Sequence, residues 1–324
     1  MATLPVREIA ATLRTSRSVL IVCHVGPDGD CIGSALALAL ALDEVRVPCT
    51  IGSADGVPLS LRFLPSSTRI VTVPPQEAPD TSIAMECSTP ERAGVFAPAL
   101  MAARTVINLD HHLSNSGYGT IVYWDQRAAA AGEQVHEIIR ALGVPMTPEI
   151  AECLLAAVVT DTGVFRYPNV TPQVLRRAAD LVEAGGSVHR IVEEVYETKT
   201  ASSLRLLGRA LAEMHRSADG RAAWTVVTPK MMADTGAIPE ETTGITGALR
   251  QILGVRVALM FEQTPEGIRV SIRSRDGARS NVIADAFGGG GHSGAAGFTS
   301  PGRLDDVIAA TLREVQSELD RPTS

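Results

Sequence analysis

The sequence predicts an α/β protein with a mostly parallel sheet in its N-terminal part and a smaller α/β domain at its C-terminal end. From Ser18 to about Phe165, short apolar runs alternate with segments of helical pattern, as expected for parallel strands joined by crossover helices. A hairpin signal follows later, at Gln263–Glu266. The length of 324 residues is sufficient for two domains, each with its own core.

Five apolar runs in the N-terminal part have the length and residue types of strands. They are Val19–Cys23, Cys49–Ile51, Ile70–Val73, Ile83–Cys87 and Val106–Leu109. The segment Ala35–Leu42 alternates as a strand would, but it consists of Ala and Leu and contains no β-branched residue. Because both residues are strong helix formers, we predict a buried helix that begins just after Asp30.

The remaining helices and strands follow from periodicity and from Gly and Pro positions. Helices are expected at Gly132–Leu142, Pro148–Val158, Pro172–Ala184, about Val188–Met214, from Pro229, at Gly244–Leu253, Asn281–Phe287 and Arg303–Leu319. Later strands are expected at Ala223–Val227, Val255–Glu262 and Gly267–Arg275. We place the domains at residues 1–190 and 217–324, with a helical linker at 191–216.

Charge and cysteine content limit the functions to be considered. The formal net charge of -7 argues against a broad basic face for long duplex nucleic acid. It allows a short phosphorylated substrate, because bound divalent cations would neutralise both partners. The five cysteines show no C-x-x-C pair and are typical of reduced core residues. No signal peptide or membrane-spanning run is apparent, so we expect a cytoplasmic protein without a membrane partner.

The most informative segment is His24–Asp30, directly after the first predicted strand. It supplies His24, Asp28 and Asp30 where open α/β sheets place their chemistry, at the carboxyl end of a strand. Imidazole and carboxylate groups at this spacing are suited to divalent metals. The structural alternative is a turn at Asp28-Gly29 with Asp30 capping the following helix.

Three further segments repeat this arrangement. Glu86 follows an apolar strand, Asp110-His111-His112 follows another, and Asp161 stands where a predicted helix ends in a polar turn. Adjacent histidines on an extended segment point in opposite directions, so one could bind metal while the other faces substrate. The alternatives are solvent exposure for Glu86, a surface loop for the histidines and a turn role for Asp161. Four such segments at one sheet edge would form a two-metal hydrolase site.

A glycine run near the C-terminal end is a candidate anion-binding segment. Gly288–Gly291 precedes His292, and consecutive glycines allow backbone N–H groups to converge on an anion. The alternative is a flexible turn. Arg273 and Arg275 lie upstream on a predicted strand and face opposite sides, so at most one of them would reach a pocket at the glycines.

Together these residues resemble the DHH phosphoesterase family. The matching motifs are His24-x-x-x-Asp28-x-Asp30, the strand-end acid Glu86, Asp110-His111-His112, Asp161 in Thr160–Gly163, and Gly288–His292 with Ala295–Gly297 of the DHH-associated domain. The resemblance covers nearly the whole chain, and the two-domain layout is similar to the nanoRNase/pAp-phosphatase branch. RecJ-type exonucleases usually carry additional domains, and family II pyrophosphatases lack the glycine-rich ending.

The resemblance implies a dinuclear site, usually with Mn²⁺, in a cleft between the two domains. The implied ligands are His24 and Asp28 for one ion, Asp30, His111 and Asp161 for the other, and Glu86 as the bridge. Asp110 would orient a histidine, and His112 would contact the scissile phosphate. Substrate contacts in the second domain would come from Arg273, Gly289, Gly290, Gly291 and His292.

The implied activity is hydrolysis of very short single-stranded RNA, linear dinucleotides such as pApA or pGpG, and pAp. A homodimer is the assembly that the resemblance suggests. The family normally has Asp at the position of Glu86, and the extra methylene displaces the carboxylate by about one carbon–carbon bond. Two alternatives therefore stay open: a cyclic dinucleotide phosphodiesterase, and a nucleotide sensor whose catalysis is attenuated by Glu86.

Overall fold

The computed structural model describes residues 4–321, and these form two compact units. The chain passes from the first unit to the second between Thr198 and Lys199. No described helix is both long enough and apolar enough to cross a bilayer. All five cysteines are free thiols.

The N-terminal unit is built on a six-stranded parallel sheet. Its strands are β1 Val19–Cys23, β2 Cys49–Gly52, β3 Ile70–Val71, β4 Thr81–Met85, β5 Thr105–Asp110 and β6 Ile121–Trp124. They lie in the order β3-β2-β1-β4-β5-β6, and every neighbouring pair is parallel. The chain therefore builds outward from β1 on one side and then returns to add β4 on the other. This change of direction creates a switch point between β1 and β4, the position where open α/β sheets bind ligands.

Helices cover both faces of this sheet. They are α1 Leu4–Thr15, α2 Gly29–Glu44, α3 Ala97–Met101, α4 Ala131–Ala141, α5 Pro148–Asp161, α6 Pro172–Glu183 and α7 Val188–Val192. Residues of β1 alternate between two cores: Ile21 packs with α2 and α5, whereas Leu20 and Val22 pack with Phe96 and Leu100 on the opposite face. Burial on both faces explains why β1 is apolar along its length. Strand β4 is equally buried but begins with Thr81 and Ser82, whose hydroxyls are hydrogen-bonded to Ser16 and to Leu100 O.

Helices α2 and α5 approach each other unusually closely because of two glycines in α2. A Cβ atom at Gly33 would lie 2.4 Å from the backbone oxygen of Cys153, and one at Gly29 would lie 2.5 Å from the Thr160 side chain. Only a residue without a side chain fits at these contacts. The contact at Gly29 places the C-terminal end of α5, with Asp161, beside the start of α2.

The C-terminal unit has a mixed six-stranded sheet in the order β11-β12-β10-β9-β8-β7. Its strands are β7 His215–Arg216, β8 Ala222–Val227, β9 Val257–Thr264, β10 Gly267–Ser274, β11 Gly290–His292 and β12 Ala295–Ser300. Its helices are α8 Ala201–Ala212, α9 Pro229–Thr235, α10 Ile245–Arg250, α11 Ser280–Asp285 and α12 Leu304–Leu319. Only β8 and β9 are parallel neighbours. The predicted fold class is confirmed in both units.

One predicted element, a long continuous helix, is wrong. The expected long helix over Val188–Met214 consists of α7, a π-helical turn at Glu193–Glu197 and α8, and an extended strand begins at His215. The break follows from Thr200, whose extended backbone and side chain cap α8 by accepting a hydrogen bond from Ser203 N.

Several boundaries also differ from the sequence-based expectation. The strand expected at Ile70–Val73 ends at Val71, and the one expected at Ile83–Cys87 ends at Met85 because Glu86 adopts a left-handed conformation with φ of 55°. Helix α1 and strand β6 were not predicted. Strand β6 is short and only its first residue is buried, so its sequence carries a weak pattern.

We expect Gly33→Ala to lower the free energy of unfolding of the N-terminal unit by about 1–3 kcal/mol, because the new methyl group forces α2 away from α5. Gly208→Ala is the matched control: it lies in α8 with no atom within 4 Å of its added Cβ, so stability should be unchanged or rise by up to about 1 kcal/mol. Urea unfolding followed by circular dichroism measures both. A Gly33→Ala protein as stable as the natural chain would contradict this packing account.

Candidate metal and phosphoester site

Three neighbouring strands deliver site residues to the same sheet edge. His24 follows β1, Glu86 follows β4 and Asp110 is the last residue of β5. Since β1, β4 and β5 are adjacent and parallel, their carboxyl ends meet at the switch point. Asp110 and Glu86 are both at most 2% exposed, so the surface-exposed alternative for Glu86 is wrong.

His24 and Asp28 form one side of the site. His24 is buried, and its Nδ1 lies 2.9 Å from Val25 O and 3.1 Å from Arg92 Nη2. When Nδ1 donates its proton to Val25 O, Nε2, which lies 3.9 Å from Asp28 Oδ1, is left as the ligand atom. Burial lowers the pKa of His24, which favours the neutral, metal-binding form.

Asp28 has two tasks in the structure. It is the N-cap of α2, and its Oδ1 accepts hydrogen bonds from Asp30 N and Cys31 N. The capping role proposed from sequence is therefore real, but it belongs to Asp28 and not to Asp30. A carboxylate has two oxygens and four acceptor positions, so the capping role of Asp28 is compatible with binding a cation.

Asp30 is fully buried and is held by the beginning of α4. Its Oδ1 accepts hydrogen bonds from Ser34 Oγ at 3.0 Å and Gly132 N at 2.9 Å, and its Oδ2 accepts one from Ala131 N at 2.5 Å. Burial, with the charge of Asp28, raises the pKa of Asp30. The helix N-terminus positions this carboxylate but does not fully offset the cost of burying it.

His111 and Asp161 complete the second side. His111 Nδ1 lies 3.1 Å from Ala128 O, and its Nε2 lies 3.7 Å from both Asp30 Oδ2 and Asp161 Oδ2. A ring whose Nδ1 proton is given to a backbone carbonyl presents Nε2 as a ligand. Although burial acts in the opposite direction, the charges of Asp30 and Asp161 raise the pKa of His111. Burial and the Asp30 charge raise the pKa of Asp161 well above its ordinary range.

Glu86 is the least satisfied group of the site. Both carboxylate oxygens are buried and neither accepts a hydrogen bond within normal distance. Burial and the carboxyl groups of Asp30, Asp28 and Asp161 raise its pKa well above the usual range. Its left-handed backbone is anchored by the hydrogen bond from its N–H to Leu109 O at 2.9 Å. A buried acid with no donor and several acidic neighbours requires a cation or a proton.

Asp110 lies behind the histidines and does not face the other acids. Its Oδ1 accepts hydrogen bonds from His111 N, His112 N and His112 Nδ1, the last at 2.6 Å, and its Oδ2 accepts from Ser88 Oγ and Asn115 Nδ2. Burial alone would raise its pKa, but these donors hold the pKa of Asp110 well below its ordinary value. Asp110 is therefore ionised and fixes the ring of His112.

The potential ligand atoms fall into three groups, and within each group the atoms lie within 4.8 Å of one another. The groups are His24, Asp28 and Glu86; Asp30, His111 and Asp161; and Glu86, His111 and His112. Glu86 belongs to the first and third groups and His111 to the second and third, so these two residues together link the two sides. Mutually repelling carboxylates, buried at Asp30 and Glu86, with imidazole nitrogens oriented among them fit divalent cations, so the donor set suits metal binding.

Four of the five predicted substrate residues of the C-terminal unit lie on β10 and β11, the two strands that flank β12, and Gly289 directly precedes β11. Arg273 of β10 is paired in register with Ala295 of β12, which is paired with His292 of β11. The side chain of His292 lies outside the described part of the structure. Arg273 Nη1 donates to Ile272 O at 3.1 Å.

The second half of the glycine run, Gly290 and Gly291, begins strand β11, whereas Gly288 lies in the turn before it. A Cβ at Gly289 would lie 2.3 Å from Gly297 O, and one at Gly291 would lie 2.5 Å from Ala295 O. These two glycines are therefore required by close packing against β12. Gly290 differs, because a Cβ there would meet nothing within 4 Å.

Sequence reasoning missed the groups that hold the ligands in place. Ser88 and Asn115 bind Asp110, and the backbone of Ala131 and Gly132 binds Asp30. Asn115 carried a weak signal, since Ser114–Gly117 is a polar turn directly after the histidines. The backbone donors of α4 carried none, because any residue other than proline supplies the same N–H group.

Comparisons with known proteins agree with this geometry. A model of the DHH family N-terminal domain matches residues 18–158, and a model of the DHHA1 domain matches residues 219–319. The bifunctional oligoribonuclease and PAP phosphatase NrnA of Thermus thermophilus is 36% identical over 322 residues, covering 97% of this chain and 94% of that protein.

Two solved structures share the fold. An exopolyphosphatase-related protein from Bacteroides fragilis has a TM-score of 0.88 at 24% identity and covers 97% of this chain and 96% of its own. The exonuclease RecJ bound to manganese has a TM-score of 0.54 at 14% identity and covers 100% of this chain and 96% of its own.

We expect Glu86→Gln to raise the melting temperature of the metal-free protein and to reduce the further rise caused by a divalent metal. Removing one buried negative charge relieves repulsion from Asp30 and Asp161 but also removes a ligand; each kcal/mol corresponds to about 2–4 °C in a unit of this size. Thermal denaturation in EDTA and in increasing Mn²⁺ measures both effects.

The matched control is Glu152→Gln, another buried acid of the same unit. Its Oε2 accepts a hydrogen bond from Ser187 N at 2.6 Å and lies outside the three groups. This variant should keep the full metal-dependent rise. A Glu86→Gln protein that is less stable in EDTA and equally stabilised by Mn²⁺ would contradict the metal assignment.

Proposed function

This chain belongs to the DHH family of phosphoesterases and depends on divalent metal, and we propose that it hydrolyses very short oligoribonucleotides. The proposed substrates are linear dinucleotides such as pApA and pGpG, which give mononucleotides, and pAp, which gives AMP. The observation that carries this proposal is the convergence of three overlapping ligand groups at the switch point, in which Glu86 joins His24 and Asp28 to the histidines and His111 joins the histidines to Asp30 and Asp161. The name of the relative at 36% identity supports the substrate class.

We propose two Mn²⁺ ions as the cofactor. The mixed imidazole and carboxylate donors suit Mn²⁺, and RecJ of the same fold was solved with manganese. His24 and Asp28 would hold one ion, Asp30, His111 and Asp161 the other, and Glu86 both. When bound, such ions supply a hydroxide nucleophile and neutralise negative charge on the phosphoryl group.

The side chains of this chain would orient and stabilise the reacting phosphate. His112 gives Nδ1 to Asp110, which leaves Nε2 to meet a phosphoryl oxygen. The acidic side chains of the site repel a polyanion whose charge no metal neutralises. The net charge of -7 also disfavours the binding of long duplex nucleic acid. We assign the other end of the nucleotide to Arg273, Gly289, Gly290, Gly291 and His292. A cytoplasmic location and a homodimer belong to the same proposal.

Purified protein with Mn²⁺ should release AMP from both pApA and pAp, and a 24-nucleotide RNA should be cleaved far more slowly. The Glu86→Asp variant, assayed in parallel, tests whether the longer acid is a competent bridge. An inactive natural chain with an active Glu86→Asp variant would show a catalytic scaffold attenuated at one ligand. Tight nucleotide binding without turnover in either protein would overturn the enzyme proposal in favour of a sensor.

Asp110→Asn should lower kcat for pApA by about 10- to 100-fold, because the uncharged amide holds His112 less firmly. The Mn²⁺-dependent rise in melting temperature should persist, since Asp110 lies outside the ligand groups. Asp43→Asn is the control: it removes an exposed acid that is paired with Arg69 at the far end of α2. Equal kcat values for Asp110→Asn and Asp43→Asn would refute the orienting role.

A further inference from the structure

We propose that Arg166 and Tyr167 form a nucleotide subsite beside Asp161, in which the Tyr167 ring stacks on a nucleobase and the Arg166 guanidinium binds a phosphate group. The inference rests on the proposed function, because it names where a nucleotide substrate would be held. Neither residue was selected by the motif analysis, and neither belongs to the ligand groups.

The first observation is a strained turn directly after Asp161. Gly163, Val164 and Phe165 have φ values of 55°, 60° and 57°, so three consecutive residues are left-handed. This conformation is unfavourable for L-residues and especially for a β-branched one such as Val164. Such strain persists only where surrounding contacts impose it, and it is concentrated at functional sites.

Contacts with Gly163 hold the next two side chains against the turn. Arg166 Nε donates a hydrogen bond to Gly163 O at 2.6 Å, which holds the side chain against the turn. A Cβ atom on Gly163 would lie 2.3 Å from Cζ of Tyr167, so the tyrosine ring packs directly on the glycine backbone. Both side chains are therefore anchored on Gly163, which lies two residues after Asp161 in the sequence.

The Tyr167 ring is anchored and still accessible. Tyr167 is 38% exposed, although aromatic rings are normally buried more completely in a folded unit. Tyr196, on the π-helical turn at Glu193–Glu197, is 36% exposed and is close enough to Tyr167 and Arg166 for their charges to affect its pKa. Burial, with the charge of Tyr167, raises the pKa of Tyr196 to about 12, so its hydroxyl stays neutral. Exposed aromatic rings beside a phosphoester site are suited to stacking on bases.

The guanidinium of Arg166 has no carboxylate partner among residues 4–321. The side-chain hydrogen bond given for it there goes to the backbone carbonyl of Gly163. A guanidinium without a carboxylate partner, next to an acidic metal site, is an anion receptor. The substrate class fits both groups, since pApA and pAp each place a second phosphate one nucleoside away from the scissile one.

The test measures ligand binding as well as turnover. Quenching of 2-aminopurine riboside 5′-monophosphate reports stacking, and ribose 5-phosphate as competitor reports phosphate binding without a base. Tyr167→Leu should weaken binding of the fluorescent nucleotide by about 5-fold or more and leave ribose 5-phosphate unchanged. Tyr167→Phe keeps the ring and should bind within about twofold of the natural chain. Arg166→Ala should weaken both ligands by about 10-fold.

Arg104→Ala is the matched charge control, because Arg104 is exposed and precedes β5 at the opposite edge of the same sheet. It should bind both ligands as the natural chain does. The subsite would be overturned by an unquenched nucleotide in the natural chain, by unchanged binding in Tyr167→Leu and Arg166→Ala, or by equal losses in Arg104→Ala. Quenching that depends on Tyr167 without pApA turnover would support the subsite while refuting the proposed hydrolysis. Turnover of pApA by the natural chain, with unchanged ligand binding in Tyr167→Leu and Arg166→Ala, would support the proposed hydrolysis while refuting the subsite.

Discussion

The burial of several like charges at one sheet edge is the constraint on which the rest of the site depends. Asp30, Glu86 and Asp161 are brought together by a strand end, a helix start and a helix end, and burial raises the pKa of each of them. Such an arrangement costs free energy unless cations neutralise it. The fold maintains it through contacts elsewhere, above all the glycine-mediated approach of α2 and α5, which places Asp161 beside Asp30.

Two carboxylates of the site, those of Asp110 and Glu86, differ in the hydrogen bonds that they accept. Asp110 receives five hydrogen bonds from named donors and remains ionised, so it can orient His112. The carboxylate oxygens of Glu86 receive none. The structure therefore places a fully hydrogen-bonded carboxylate and one without donors at adjacent strand ends. The longer side chain of Glu86 is accommodated at a left-handed residue after β4.

The sequence was sufficient to predict most of the N-terminal sheet and the residues that meet at its edge. Apolar runs before His24, Glu86 and Asp110 identified strands, and parallel strands share a carboxyl edge. It could not reveal the break at Thr198–Thr200, because a single capping threonine outweighs a helical pattern only in its tertiary context. Nor could it show that Gly289 and Gly291 are required by close backbone contacts with β12, whereas Gly290 is not.

A crystal of the protein grown with Mn²⁺, with anomalous scattering recorded at the manganese edge, would test the central claim most directly. The account predicts two peaks, one among His24, Asp28 and Glu86 and the other among Asp30, His111 and Asp161, with Glu86 in contact with both. A single peak, or two peaks that leave the Glu86 carboxylate without a metal, would contradict it.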